Sequence, residues 1–271
     1  MPLFVLGTPI GNLSDVSPRV REVLGAAEVI FAEDTRVTRK LLSALDIPAP
    51  RIERYRGHEQ EGYAQGCADR IAEGGSVVLV CDAGTPSVSD PGLEVVRICH
   101  ERGLPVETVA GPSAVACAIS VSGFDAVPFH FLGFPPRKKG KARQWIRDAG
   151  ALRGTCVVYE SPRRTVAFLR LLASELPERE VCLCRELTKL HEEVLRLPVG
   201  ELLSELESRE ALKGEVTLVI GPGEGPAEKV QAEAGPELRS IAAALAQRWG
   251  VSRREAYQQL LELERTIEPD R

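Results

Sequence analysis

"SVVLVCDAGTPSVSDPG" occupies residues 76–92. Its first part, Val77–Cys81, is apolar without a polar interruption, the pattern of a strand covered on both faces, as in a parallel sheet. Its second part, residues 82–92, holds two glycines, two prolines and two aspartates, and offers little apolar surface to bury. A loop of this kind at a strand exit reads as one that wraps a ligand, because in open α/β sheets ligands gather where C-terminal strand ends meet.

Short apolar runs of the same type recur on both sides of it, alternating with helical patterns, which predicts an α/β fold with a mostly parallel sheet wrapped in helices. In the first half the expected strands are Leu3–Gly7, Val29–Ala32, Ile52–Tyr55, Val77–Cys81 and Val106–Val109, with helices near 18–26, 35–45, 59–73 and 90–102. A second series follows "FDAVP": Phe129–Leu132, Thr155–Tyr159, Val181–Cys184, Glu193–Leu197 and Val216–Ile220, with helices near 140–152, 162–175 and 200–207. The expected division is therefore two α/β domains, 1–122 and 123–223, each with about five strands. "GPGEGPAEK" then reads as a linker. Beyond it, an apolar stripe at helical spacing and a capping box at Ser252 and Glu255 predict a helix-turn-helix-like hairpin over 236–265.

The chain has 271 residues, 44% of them apolar and 27% charged, as expected of an ordinary globular protein. No apolar run approaches the roughly 20 residues of a membrane span. The start "MPLFVLGTPIGN" lacks the basic stretch and cleavage site of a signal peptide, so a cytoplasmic location and no membrane partner are expected. Seven scattered cysteines without a CxxC pair, and four scattered histidines, read as buried thiols in a reducing compartment and predict no metal site.

Charge is unevenly placed. The net charge is −5, yet residues 131–170 hold 10 Lys and Arg against 2 Asp and Glu. A basic island in an acidic chain points to a polyanion met at one place, the plainer alternative being a solvated helix face. "PPRKKGKARQWIR" supplies Arg137, Lys138, Lys139, Lys141, Arg143 and Arg147; Arg163 and Arg164 follow, and Arg36 and Arg39 are further candidates for phosphate contacts. Trp145 reads either as a base-stacking residue or as core.

Four loops follow predicted strands: "GTPIGN" (7–12), "DAGTPSVSDPG" (82–92), "AGPSA" (110–114) and "YESPRR" (159–164). Gly7, Gly11, Gly84 and Gly111 would let main chain approach a ligand closely. Neither GxGxxG with a downstream acid nor GxxxxGK[ST] is present, which removes most support for a dinucleotide or ATP site.

Seven stretches in order, "LFVLGTPIGNLSD", "AEDTR", "DAGTPSVSDPG", "AGPSAV", "FLGFPPR", "YESPRRT" and "RELTKLHEEV", resemble the bacterial small-subunit ribosomal RNA cytidine 2′-O-methyltransferases, a branch of the tetrapyrrole methylase superfamily. The resemblance implies two α/β domains forming a cleft, a homodimer, and S-adenosylmethionine folded in that cleft. It also implies a substrate: a cytidine ribose hydroxyl of 16S rRNA, in the decoding centre of the small ribosomal subunit. Carried over by motif, the methyl donor meets Ile10 in the first loop, Asp82, Gly84, Thr85 and Val88 in the second, then Ser113 and Ala114. Tyr159, Leu187 and Thr217 match ligand-facing positions of the second domain. The superfamily's GDP loop is here GTP (84–86), so Thr85 replaces its acid, in keeping with the ribosomal RNA branch.

Methyl transfer from a sulfonium is an in-line displacement, so positioning lowers much of the barrier. A ribose hydroxyl still needs a proton acceptor. Glu33, Asp34, Glu160 and Lys189 form the candidate pool, Lys189 only with a depressed pKa; Asp34 reads equally as a helix cap. Arg253 and Arg254 of the hairpin read equally as phosphate contacts or as packing. Two other functions fit parts of the sequence: a tetrapyrrole C-methyltransferase, and a non-catalytic RNA-binding protein of ribosome assembly.

Overall fold

In a computed structural model the chain is described over residues 1–55 and 60–224, and at Ile241, 244–246, Arg248, Gly250, Ser252, Ala256 and Leu260. Met1–Glu224 is one compact unit and Gly225–Arg271 a second. In the second unit Ala246 and Ala256 are buried, and the Ala256 N–H donates to the Ser252 carbonyl at 3.1 Å. The expected hairpin otherwise lies outside the described residues, as do Arg253 and Arg254.

Five strands, β1 (Leu3–Leu6), β2 (Val29–Ala32), β3 (Arg51–Arg54), β4 (Val77–Val80) and β5 (Val106–Val109), form a sheet of order β3-β2-β4-β1-β5, parallel throughout. Every residue of β2 and β4 is buried, because helices cover both faces. Side chains alternate accordingly. Leu3, Val29, Phe31, Val77 and Leu79 pack toward α3 (Gln60–Ala72) and α4 (Leu93–Glu101). Leu6, Ile30, Ala32, Val78 and Val80 pack toward α1 (Pro18–Ala26) and α2 (Thr35–Ala44). Each such fully buried Leu, Ile, Val or Phe contributes about 1.5–3 kcal/mol, and one substitution to a charge at Ile30 or Val78 would break the layer.

The second sheet joins β6 (Phe129–Phe131), β7 (Arg153–Glu160), β8 (Glu180–Arg185), β9 (Glu193–Pro198) and β10 (Val216–Glu224) in the order β6-β7-β10-β8-β9. Only β6 and β7 are parallel; the remaining pairs are antiparallel, which departs from the expected mostly parallel arrangement. The cause is topological. The short loop 186–192 turns β8 back into β9 without a crossover helix, and the last strand inserts between β7 and β8. The presumed linker also begins as strand: β10 passes a bulge after Ile220 and resumes pairing at Gly223↔Gly154.

Helices α6 (Lys139–Gly150), α7 (Pro162–Glu175) and α8 (Val199–Glu207) cover one face of this sheet through Ile146, Phe168, Leu169, Leu172, Leu202 and Leu206. Its other face is covered by α5 (Ala114–Ser122), whose Val115 and Ala118 meet Val157, Cys182, Cys184 and Val219. Thus α5 leaves the first sheet at β5 and packs under the second. Ile10 and Leu187 join that cluster, so strand-exit loops of both sheets face each other around the start of α5. All seven cysteines are free thiols, six of them buried. Among the described residues no helix is long and apolar enough to cross a membrane.

Candidate active site

Close main-chain contact holds the first-sheet loops together. A Cβ on Gly111 would stand 2.5 Å from the Gly7 carbonyl oxygen, and one on Gly7 would stand 2.8 Å from Gly111 Cα. Only two glycines let the exits of β1 and β5 touch. Thr8 extends the link: its N–H donates to the Gly84 carbonyl at 2.8 Å, and the Gly84 N–H donates to the Thr8 carbonyl at 3.1 Å. The Asp34 N–H donates to Asp82 Oδ1 at 3.0 Å, joining the exits of β2 and β4. From the second sheet, Thr188 Oγ1 accepts the Asn12 N–H at 3.1 Å.

These loops surround a cleft of about 400 Å³, within the usual range for small-molecule sites. Nine of the ten residues expected to hold the donor line it: Ile10, Asp82, Gly84, Thr85, Val88, Ser113, Ala114, Tyr159 and Thr217. The tenth, Leu187, does not line it but is buried in the apolar cluster that also holds Ile10. The loop after β4 is held in unusual backbone conformations, with φ of 69° at Ser87 and 70° at Ser89. Left-handed non-glycine residues cost on the order of 1–3 kcal/mol each, and here they turn Val88, Ser89 and Asp90 toward the cleft.

Among the described residues five carboxylates, Glu33, Asp82, Asp90, Glu160 and Glu215, line this cleft, and no Lys, Arg or His does. Burial, then the neighbouring Asp82 charge, raises the Asp90 pKa above that of an ordinary aspartate, against a hydrogen bond from Cys81 that lowers it. Burial likewise raises Glu160, against the Ser161 N–H and the Arg164 charge, which lower it. The Tyr159 phenol is pushed up to about 12 by burial and then by Asp90. Glu160 is fully enclosed. Its Oε1 accepts the Ser161 N–H at 2.7 Å. Its Oε2 lies 3.2 Å from Arg164 Nη2. That nitrogen donates instead to the Pro135 and Pro136 carbonyls, at 3.1 and 3.3 Å. Oε2 therefore has an ion pair but no hydrogen bond.

Two members of the proposed acid–base pool stand elsewhere. Asp34 caps α2, accepting the Arg36 N–H at 2.9 Å, and its carboxylate grips the Arg36 guanidinium, which holds its pKa far below the usual range. Lys189 lies 2.9 Å from both Glu186 Oε1 and Glu215 Oε2. Burial pulls its pKa down, but these two acceptors outweigh burial and the pKa is raised. The depressed pKa that a lysine base requires is absent here.

The basic island forms a second feature. Arg137, Lys138, Lys139 and Lys141 are exposed around the first turn of α6 and, among the described residues, form no ion pair. Cations at a helix N-terminus oppose the helix dipole, so these charges do not serve the helix. Between α6 and α7 runs a groove of about 630 Å³ lined by Arg137, Lys139, Arg143, Arg164 and Arg170 over Ala142, Ala167, Phe168 and Leu171. Arg143 and Arg147 both reach Glu175, at 3.4 and 2.9 Å. Arg163 is exposed at the start of α7, and Arg36 is exposed beside Asp34. Trp145 packs edge-on against Phe168, centroids 6.2 Å apart, and belongs to the core. The sequence reading left out Asp90, Phe134 and Glu215 of the cleft. Asp90 lies within the opening stretch but precedes a proline, the signature of a turn former.

Comparison with known proteins adds a lineage to this geometry. Residues 2–203 match the family described as Tetrapyrrole (Corrin/Porphyrin) Methylases. A protein of Mycobacterium tuberculosis named "Ribosomal RNA small subunit methyltransferase I" is 41% identical over 220 residues, 80% of this chain and 76% of that protein. One of the same name from Thermotoga maritima is 38% identical over 218 residues, 80% of this chain and 97% of its own length. Among solved structures, uroporphyrin-III C-methyl transferase from Thermus thermophilus, complexed with S-adenyl homocysteine, has a TM-score of 0.55 at 20% identity, over 82% of this chain and 97% of that one. At that identity the likeness concerns the fold.

Proposed function

We infer the reaction from one premise: this chain belongs to the tetrapyrrole (corrin/porphyrin) methylase family and, within it, to the ribosomal RNA small subunit methyltransferase I group. It is an S-adenosylmethionine-dependent methyltransferase whose substrate is small-subunit ribosomal RNA. We propose that the acceptor is the 2′-hydroxyl of a cytidine ribose in the decoding centre of 16S rRNA. A homodimer is part of the same proposal, and sedimentation velocity reads it.

The residues present fit this donor. An acid-lined, partly apolar cleft suits a sulfonium, which carries positive charge next to apolar carbon. Ile10, Val88 and Ala114 supply apolar contact, and Leu187 is buried in the same apolar cluster as Ile10. Asp82, Thr85 and Ser113 supply polar groups, and the Gly84 main chain allows close approach. Tyr159 and Thr217 close the side belonging to the second sheet. When bound, the donor supplies an activated methyl group and its own leaving group. The chain's part is to position the ribose hydroxyl, exclude water and accept one proton. Glu160 and Glu33 line the cleft and are the acceptors we propose; Glu33 is partly exposed whereas Glu160 is enclosed beside Arg164, so we assign the direct contact with the hydroxyl to Glu33. Arg137, Lys138, Lys139, Lys141, Arg143 and Arg163 hold RNA phosphates, Arg36 adds to them from the first sheet, and Arg164 braces the loop between cleft and groove.

The observation that carries the reading is the convergence of nine expected donor contacts on one acid-lined cleft, with a cationic groove beyond it. Small ribosomal subunits lacking the modification, incubated with methyl-labelled S-adenosylmethionine, test it. Label is expected in 16S rRNA, on a cytidine ribose by mass spectrometry. Label in a porphyrinoid precursor instead would assign the chain to tetrapyrrole chemistry, and no donor binding by calorimetry would leave an assembly role.

A further inference from the structure

Phe134 is an aromatic residue at the cleft with 58% of its surface exposed. It is nonetheless firmly supported. Its ring lies 5.6 Å from that of Tyr159, and Tyr159 lies 4.9 Å from Phe131 on β6, so three rings run from the sheet to the cleft. Gly133 turns the chain just before it with φ of 62°, and the Gly133 carbonyl accepts the Tyr159 N–H at 2.9 Å. The loop after β4 stands opposite: a Cβ on Gly133 would be 3.8 Å from Ser89 Oγ.

Phe134 also marks a boundary. It lines the acidic cleft, whereas Pro136 and Arg137, two and three residues later, line the cationic groove. The intervening ridge is fixed by Arg164, which donates to the carbonyls of Pro135 and Pro136. A phosphate is favoured in the groove and repelled by five carboxylates in the cleft. An uncharged nucleoside is not repelled. A strand laid along the groove can therefore place a nucleoside at the cleft only if a base leaves its stack, and unstacked bases are received on aromatic faces.

We propose that Phe134 is the platform on which the base of the target nucleotide stacks, with neighbouring phosphates on Arg137, Lys139 and Arg143. The inference rests on the reading that the substrate is ribosomal RNA, and it adds the residue that admits the nucleoside to the cleft. Phe134 is a positioning residue: stacking there presents the ribose to the carboxylates behind it.

The test compares Phe134→Ala, Phe134→Leu, Phe134→Tyr and Phe134→Trp in the full chain, with rates against small-subunit concentration and donor affinity by calorimetry. For Phe134→Ala the KM for the subunit should rise about tenfold or more, as loss of one base–aromatic stack implies, while donor affinity stays within about twofold. Tyr and Trp should restore the KM; Leu, which keeps apolar area without a ring, should not. Recovery by Leu equal to that by Tyr would overturn the platform. A parallel loss of donor affinity would assign Phe134 to the donor site instead. If the wild type methylates subunit rRNA and Phe134→Ala is indifferent, only this inference falls; if the wild type transfers no methyl group to it, the reading of the substrate falls first.

Discussion

The cleft and the α6–α7 groove share the segment 134–137 and residues around 160–164, yet they differ in sign. Five carboxylates line the first and five cations the second. The two sets of charges meet at one ion pair, Glu160 with Arg164 at 3.2 Å, on the ridge between the recesses. Under the proposed function, two demands on a single enzyme would thereby be met apart: a cationic donor drawn to one recess and a polyanion to the other. Had the charges been mixed, the RNA backbone would compete for the donor's place.

The largest effect should come from breaking the cleft alone. Gly111→Ala places a Cβ 2.5 Å from the Gly7 carbonyl oxygen, main chain against main chain, where no flexible side chain can yield. The exits of β1 and β5 must part, and misplacement of about 1 Å can cost on the order of 100-fold. The methylation rate is expected to fall by about that factor, with weaker donor binding by calorimetry, while RNA affinity holds; equal loss of donor and RNA affinity would mean the two recesses are not separable. Next comes the reverse experiment. Lys139→Glu with Arg143→Glu should weaken RNA binding by roughly tenfold or more and flatten its salt dependence, since each lost phosphate contact removes about 0.7–0.9 from the logarithmic slope. Donor affinity should not change.

A pH series sharpens the comparison by testing the sign of the cleft directly. Burial raises the pKa values of Asp90 and Glu160. Both carboxylates are ionised above those raised values and become neutral as pH falls through them, beginning above the ordinary carboxylate range. Each protonation removes a negative charge facing the sulfonium, so affinity for S-adenosylmethionine should fall on acidification, by up to about tenfold per group if its pKa shifts one unit on binding. S-adenosylhomocysteine lacks the sulfonium charge and should show a flatter profile. Parallel profiles for the two would mean that the cleft does not read that charge.

What the sequence made legible follows from where each constraint resides. β2 and β4 are four apolar residues apiece, buried throughout, so the run alone defines them. The edge strand β3 begins one residue before its expected start, because "RIER" is half-exposed and Tyr55, though buried, follows the strand. Strand direction in the second sheet was not legible: nothing local in Val216–Glu224 indicates that it inserts between β7 and β8. The loops that line the cleft were legible because their glycines and hydroxyls share a motif with their strands. Asp90 and Phe134 were not. A DP pair reads as a turn, and a phenylalanine before two prolines reads as a buried residue, until the opposing loop and the ridge bound by Arg164 give each a face. The ion pairs of Lys189 with Glu186 and of Asp34 with Arg36 were not legible either, because composition does not reveal which partners are engaged.

Asp34 provides the smallest test, at the corner of the cleft where its N–H donates to Asp82 and its carboxylate holds Arg36. Its carboxylate does two things: Oδ1 accepts the Arg36 N–H at the start of α2, and both oxygens hold the Arg36 guanidinium. Asn can perform the first task but not the ionic second; Ala can perform neither. Loss of a helix cap should lower the melting temperature of Asp34→Ala by roughly 2–4 °C, and Asp34→Asn should recover most of it. The sign with pH separates the tasks further. Because Arg36 depresses the Asp34 pKa, its ionic contribution is present above the ordinary aspartate value and is lost as pH falls below it. The difference between wild type and Asp34→Asn should therefore vanish in acid, whereas that between Asn and Ala should persist. If Asn proved no better than Ala at neutral pH, the grip on Arg36, and not the cap, would be what Asp34 supplies at this corner of the cleft.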